Sequence, residues 1–252
     1  MRIVKALAVA LSLSFASPVL AAEAPPPPDA RFGFAGLFGT FDRGALQRGF
    51  QVYKEVCSAC HSMRLLSYRN LLDIGLTDEQ VRAIAAEYQI TDGPNEDGEM
   101  FERPGRLSDR FRRPFPNEQA ARVANNGAYP VDLSVITKAR AGGANYIHAL
   151  LTGYVDPPAG VEVMPGMNYN AWFAGNQIAM PNVLNPGQLE FADGTEATVE
   201  QMSRDVTTFL AWAAEPEMER RRQMGVKVLI FLAILGGLVY ATKRKVWADV
   251  KH

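Results

Sequence analysis

Val56-Cys57-Ser58-Ala59-Cys60-His61-Ser62 decides how the rest of the chain is read. It contains C-x-x-C-H, the attachment pattern of a c-type haem. Two thiols one helical turn apart can each add across a vinyl group of the same porphyrin. The next residue, His61, can then turn its imidazole to the iron. Cys57 and Cys60 are the only cysteines among 252 residues, so both are available to one haem and none remains for a disulfide framework. A redox-active dithiol would sit in a βαβ pattern, and a zinc site would need two further ligands. No such pattern is visible, and the other histidines are only His148 and His252.

The residues around this motif are those of a mainly α protein. Asp42 can cap a helix whose Leu46, Phe50 and Tyr53 recur at i, i+4 and i+7, delivering the chain to Cys57. Thr77-Asp78-Glu79-Gln80 and Thr198-Val199-Glu200-Gln201 read as capping boxes. Val81, Ile84, Ala85 and Tyr88 follow the first on one face; Met202, Val206, Phe209, Leu210 and Ala213 follow the second. Asn117 can cap a helix ending near Asn126, and Asp132–Arg140 and Asn145–Thr152 read as shorter helices. Pro216 breaks the late helix. Thr91–Pro116 and Asp156–Gly187 are rich in Gly, Pro, Asn or charge and read as long loops. The expected fold is a cytochrome c-type haem domain with long loop insertions and one C-terminal transmembrane helix. No internal repeat, nucleotide-binding Gly-rich loop or catalytic triad is visible.

The two ends read as targeting and anchoring. Residues 1–22 have the basic start, apolar run and small-residue site of a secretory signal, with cleavage after Ala21 or Ala22. Pro25–Pro28 is an extended linker. The expected domains are an exported haem domain at 23–222, an anchor at 223–243 and a cytoplasmic tail at 244–252. Val226–Thr242 is apolar except for Lys227, whose amine can reach the interface, and Lys243-Arg244-Lys245 follow at once. Basic residues balance on the two sides of the anchor, so the leader sets the orientation.

Apolar residues make up 48% and charged residues 21%, which excludes wholesale disorder, collagen and a polytopic membrane protein. The formal charge of −1 hides a gradient. Residues 23–218 carry 16 Lys and Arg against 25 Asp and Glu, a balance of −9, and residues 219–252 carry 8 against 2. An acidic exported domain steers a basic, diffusing partner and offers nothing to nucleic acid. Glu96–Glu102 and Glu190–Glu196 are the candidate acidic stretches.

The sixth iron ligand has two candidates on sequence chemistry alone. Met164 and Met180 are each followed by Pro in Gly- and Asn-rich loops, far along the chain from the cysteines. Met202 and Met218 lie on or beside a predicted helix and read as packing. His148, in an apolar helical stretch, reads as an ordinary partly buried histidine.

Several segments together resemble the cytochrome c1 family, the haem subunits of quinol:cytochrome c oxidoreductase (cytochrome bc1) complexes. They are Val56–Met63 with Tyr68-Arg69-Asn70-Leu71, Ala124-Asn125-Asn126-Gly127-Ala128 with Pro130 and Asp132-Leu133-Ser134, Leu150–Tyr154, Ile178-Ala179-Met180, and Asp205-Val206 to Glu217. The resemblance covers about Phe32 to Val250. It implies one covalent haem c on Cys57 and Cys60, ligated by His61 and Met180. It also implies that Asn125, Pro130, Arg140, Tyr146, Leu150, Leu151, Phe173 and Ile178 surround the haem. Arg140 and Tyr146 suit haem propionates as a cation and a hydroxyl donor. The implied function is electron transfer from a Rieske iron–sulfur protein to a soluble basic c-type cytochrome, beside cytochrome b and membrane lipid. No independent catalysis is expected. The implied location is a bacterial inner membrane, with the haem domain periplasmic and the C-terminus cytoplasmic. The alternatives are a free-standing membrane-tethered shuttle and a c-type haem peroxidase. Some bacterial relatives carry an extra cysteine pair leading to the axial Met. This chain has none, so packing and Pro/Asn turns must hold its ligand loop.

Overall fold

The structure, a computed structural model, describes residues 25–250. The expected leader at 1–22 and His252 lie outside the described residues. The helices are α1 (Arg43–Glu55), α2 (Asp78–Ala86), α3 (Glu118–Ala124), α4 (Gly143–Thr152), α5 (Val199–Ala214) and α6 (Met218–Val246). Two short antiparallel hairpins pair β1 (Gln89–Asp92) with β2 (Phe101–Pro104) and β3 (Asn168–Tyr169) with β4 (Gln177–Ile178). Tight 3-10 turns cover Cys57–Ala59 and Tyr68–Ile74.

The core forms where α1 lies on α5. Leu46, Phe50, Val52 and Tyr53 of α1 are buried with Met202, Val206, Phe209 and Trp212 of α5. The Phe209 ring sits 5.7 Å from Phe50 and 5.9 Å from Tyr53. Gly49 permits this approach. A Cβ there would overlap the Asp205 carbonyl and lie 2.8 Å from Phe209 Cβ. Beside it, Arg48 holds the buried carboxylate of Asp205 with two hydrogen bonds, at 2.7 and 3.2 Å, and reaches Asp193 at 2.6 Å. Gln201 donates to Asp205 as well, at 2.9 Å. α4 packs on the other flank of α5.

The caps follow the residue chemistry. Asp42 accepts from Ala45 N, Asn117 from Ala120 N, and Thr77 forms the full reciprocal box with Gln80. Thr198 accepts from Gln201 N, but the Gln201 side chain turns to Asp205, so only half of the second box forms.

Three expectations are corrected. Asp132–Arg140 is a run of turns, not a helix. Asp132 spends its carboxylate on the segment after His61, and Val135, Ile136 and Thr137 are β-branched, which disfavours a helix. The stretch read as a loop at Thr91–Pro116 carries most of the β1–β2 hairpin, whose register pairs Gln89 with Pro104 and Asp92 with Phe101. Asp156–Gly187 contains the β3–β4 ladder, with Asn168 opposite Ile178.

α6 spans 29 residues, longer than the anchor expected at 223–243. At 1.5 Å per residue it is about 43 Å long, more than a hydrocarbon core needs. Its most apolar stretch has a mean hydropathy of 2.2 and none of it is buried, so this helix is long and apolar enough to cross a membrane. Its first turns are fastened to the N-terminal segment. Glu219 accepts from Phe41 N at 2.6 Å and pairs with Arg43 at 2.8 Å, and Arg222 donates to the Phe34 carbonyl at 3.0 Å.

Two substitutions test the α1–α5 contact. Arg48→Met leaves the Asp205 carboxylate buried without its cation. It should cost about 3 to 5 kcal/mol in chemical denaturation of the haem-loaded protein. Asp205→Asn should cost less, because Arg48 keeps Asp193. A smaller loss for Arg48→Met than for Asp205→Asn would show that the pair does not lock the helices.

Candidate functional site

The helix α1 ends at Glu55 and the chain turns at once into Cys57–Ala59. The turn is closed by backbone bonds from Cys60 N and His61 N to Cys57 O, at 3.1 and 2.9 Å. Ser58 Oγ donates back to the Lys54 carbonyl at 2.6 Å, tying the turn to the helix. Cys57 packs against the core and Cys60 is exposed. Burial pushes the Cys57 thiol up to about 12, with Cys60 adding to the shift.

The His61 imidazole is oriented by one strong bond. Its Nδ1 lies 2.7 Å from the Val131 carbonyl, so Nδ1 carries the proton and Nε2 keeps its lone pair. Burial lowers the pKa of the ring, against the Val131 carbonyl and Asp132, which raise it. A neutral imidazole with a fixed tautomer is the form that ligates iron.

The segment after His61 is zipped onto residues 131–134. Asp132 accepts from Ser62 Oγ at 2.7 Å, Arg64 N at 2.9 Å and Ser134 N at 3.0 Å. Leu133 N donates to the Ser62 carbonyl at 2.8 Å, and Leu65 N to Ser134 Oγ at 3.1 Å. Tyr53 donates to the His61 carbonyl at 3.3 Å. This lock was not visible in the sequence, where Asp132 read as the start of a helix.

A second assembly holds Met180. The Tyr154 hydroxyl donates to the Met180 carbonyl at 3.0 Å, and Asn168 Nδ2 reaches it at 3.4 Å. The loop is fastened by Asn170, which is fully buried. Its Nδ2 donates to the Leu150 carbonyl at 2.8 Å, and its Oδ1 accepts from Trp172 N and Phe173 N at 3.0 and 3.2 Å. Asn176 Nδ2 donates to the Asn170 carbonyl at 3.1 Å. The expectation that packing and Asn turns hold this loop is therefore met by Asn168, Asn170 and Asn176. Met180 packs against the core, whereas Met164 is 58% exposed.

The other residues fall between these assemblies. Tyr146, Leu151 and Ile178 are buried; Leu150 and Phe173 are half-buried. Asn125 caps α3 by donating to the Ala121 carbonyl at 2.7 Å, and Asn126 and Gly127 turn the chain at positive φ towards Pro130. Arg140 is exposed; its side chain donates to the neighbouring Ala139 carbonyl and, among the described residues, has no carboxylate partner. It lies close enough to Tyr146 to oppose the rise that burial gives the phenol. Tyr146 in turn adds to the upward shift that burial gives Tyr154. Of these residues, Tyr154 is the one bonded to the Met180 backbone.

His148 stands apart. Its Nδ1 meets Ser203 Oγ at 2.9 Å and its Nε2 meets Glu200 at 3.1 Å, so both nitrogens are committed to α5. Among the described residues no group of three His, Cys, Asp or Glu side chains converges as a metal-ion shell. The Cys57 and Cys60 pair, an Nδ1-protonated His61 and a thioether on a fastened loop fit a c-type haem, and the thioether fits zinc poorly.

A family model described as the Cytochrome C1 family matches residues 32–250. The chain is 54% identical over 219 residues to "Cytochrome c1-2, heme protein, mitochondrial" of Solanum tuberosum, covering 86% of this chain and 84% of that one. It is 52% identical over 217 residues to "Cytochrome c1, heme protein, mitochondrial" of Saccharomyces cerevisiae, covering 86% and 70%. It is also 51% identical over 245 residues to "Cytochrome b/c1" of Bradyrhizobium diazoefficiens, covering 88% of this chain and 36% of that longer protein.

The Asp132 lock makes a pH prediction. Burial alone would raise this carboxyl, but the bonds from Ser134, Arg64 and Ser62 outweigh it and hold the pKa below its ordinary value. Its stabilisation is therefore complete above the ordinary carboxylate pKa and is lost as pH falls through the lower folded value. Asp132→Asn should lower stability at pH 7 by about 1 to 3 kcal/mol and make acid unfolding less steep. Equal acid slopes for the two proteins would remove Asp132 from this role.

Proposed function

The chain belongs to the cytochrome c1 family, and from that premise we propose that it carries electrons from a Rieske iron–sulfur protein to a soluble c-type cytochrome. It would do so as a subunit of a quinol:cytochrome c oxidoreductase, beside cytochrome b. The relative from Bradyrhizobium diazoefficiens, which bears both names, supports the last association. The cofactor is a c-type haem, which supplies one-electron exchange between ferrous and ferric iron.

The chain's own residues keep that exchange free of other chemistry. Cys57 and Cys60 hold the porphyrin through thioethers. His61 offers Nε2 to the iron while Val131 holds Nδ1–H, so the imidazole is ready without reorientation. Met180 would supply its thioether as the second protein ligand and leave no open position on the iron. The fastening of Met180 by Tyr154, Asn168 and Asn170 is the observation that carries this reading. A loop held at its backbone by buried donors is suited to a permanent ligand, whereas a peroxidase needs a displaceable one. A thioether also raises the potential relative to a second imidazole. Arg140 and Tyr146 are the cation and hydroxyl for the propionates, and Asn125, Pro130, Leu150, Leu151, Phe173 and Ile178 form the remaining wall.

The haem domain is exported and α6 anchors it, with the C-terminus in the cytoplasm of a bacterial cell. The acidic surface supports a basic partner. Glu96, Asp97 and Glu99 are exposed at the tip of the β1–β2 hairpin, whereas Asp193 in the second acidic stretch is spent on Arg48. The hairpin tip is therefore the stronger steering element.

Met180→Leu should lower the midpoint potential sharply while covalent haem is retained. Met164→Leu should leave the potential unchanged. A fall with Met164→Leu in place of Met180→Leu would reassign the ligand. Replacing Glu96, Asp97 and Glu99 by Gln should slow association with a basic cytochrome c roughly tenfold at low salt and little at high salt. An unchanged rate would place docking elsewhere.

A further inference from the structure

The exported domain is acidic, yet one stretch of it runs the other way. Arg106, Arg110, Arg112 and Arg113 fall within one eight-residue stretch after β2, and among the described residues none of them pairs with a carboxylate. Among the described residues the Arg112 and Arg113 side chains make no hydrogen bond or ion pair, and Arg110 reaches only the Leu65 carbonyl. Most other basic side chains in the domain are paired. Unpartnered arginines side by side repel one another, and a shared anion removes that repulsion.

Arg110, Arg112 and Arg113, though not Arg106, line one or both of two neighbouring clefts. One, of about 250 Å³, has walls from Tyr53, Tyr68, Tyr88 and Phe111, with Lys54 and Arg112 beside them. The other, of about 370 Å³, carries Arg110, Arg112 and Arg113. Phe111, Arg112 and Pro114 belong to both, so the aromatic cleft and the arginine-lined one are neighbours. The Tyr68 and Tyr88 rings are stacked, with centroids 5.8 Å apart. Lys54 and Arg112 both act on the Tyr88 hydroxyl, against the rise that burial gives it. The nearby carboxylates are already taken: Glu87 by Lys54 at 2.7 Å and Asp109 by Arg103 at 2.6 Å.

We propose that this pair of clefts binds an aromatic oligophosphate, the class to which nucleotides belong. A planar ring enters among the tyrosines, where every base presents a π face, and two or more phosphates meet the arginine forks. The first cleft is also walled by Ser58 and Ala59 of the haem-bearing turn. A polyanion seated there stabilises the ferric state, so the site can lower the potential of the haem.

The test is calorimetric titration of the detergent-solubilised, haem-loaded full chain with ATP, and separately with tripolyphosphate. Saturable ATP binding is expected, with tripolyphosphate weaker because it lacks the ring. Arg112→Ala with Arg113→Ala should weaken ATP roughly tenfold or more, and Tyr88→Ala roughly tenfold. The haem spectrum of each variant, unchanged, shows that it has folded. Saturating ATP should lower the midpoint potential of the parent protein and leave that of the double arginine variant unchanged. The proposal is overturned by absence of saturable ATP binding. It is equally overturned if tripolyphosphate binds as tightly and Tyr88→Ala changes nothing, or if an acidic peptide binds the arginines and ATP does not compete.

Discussion

The approach of α1 to α5 at Gly49 is the constraint on which the rest of the structure depends. No side chain fits between Gly49 and the Asp205 carbonyl, so the two helices are held at backbone contact. Arg48 and Asp205 then fix their register from one side, and the Phe50, Tyr53 and Phe209 rings fill the other. The C-x-x-C-H turn begins two residues after α1 ends, so the position of the thiols is set by that register. The late helix that secures α1 also leads, past Pro216, into the anchor. One contact therefore relates the haem turn to the membrane helix.

The two halves of the site are held by different means. The His61 half is a backbone zipper: Val131 orients the imidazole and Asp132 gathers three donors from the neighbouring segments. The Met180 half is an amide scaffold, in which Asn170 carries the bonds that a disulfide would otherwise replace. Each such bond contributes only about 1 kcal/mol net, but buried groups lose far more when a partner is removed. This makes the loop cooperative. Tyr154, just past the end of α4, bonds the Met180 backbone, and Asn170 bonds the Leu150 carbonyl of α4, so the loop is tied to that helix at two points.

Much of this was legible in the sequence because the signals are local. Asp42, Thr77 and Asn117 cap as their chemistry dictates, and the Leu46, Phe50, Tyr53 stripe faces the core. The haem turn could be read from five residues, and the helix break at Pro216 from one. What escaped was non-local. Asp132 has the chemistry of a helix cap, but its carboxylate is drawn to Ser62 and Arg64, about 70 residues earlier. The hairpin of β1 and β2 is half exposed and carries Gly, Pro and charge, so no period-2 alternation betrays it. The choice between Met164 and Met180 could not be made from loop composition, because both precede Pro. The two differ in exposure, with Met164 in the open and Met180 against the core, and exposure is a property of the fold.

The central claim is that this chain holds a six-coordinate haem closed by His61 and the Met180 thioether. Iron K-edge X-ray absorption on the haem-loaded protein tests it most directly. The account predicts a sulfur scatterer in the first shell alongside nitrogens, in both oxidation states, and its loss in Met180→Leu. A first shell of nitrogens alone, or a sulfur signal that survives Met180→Leu, would contradict it.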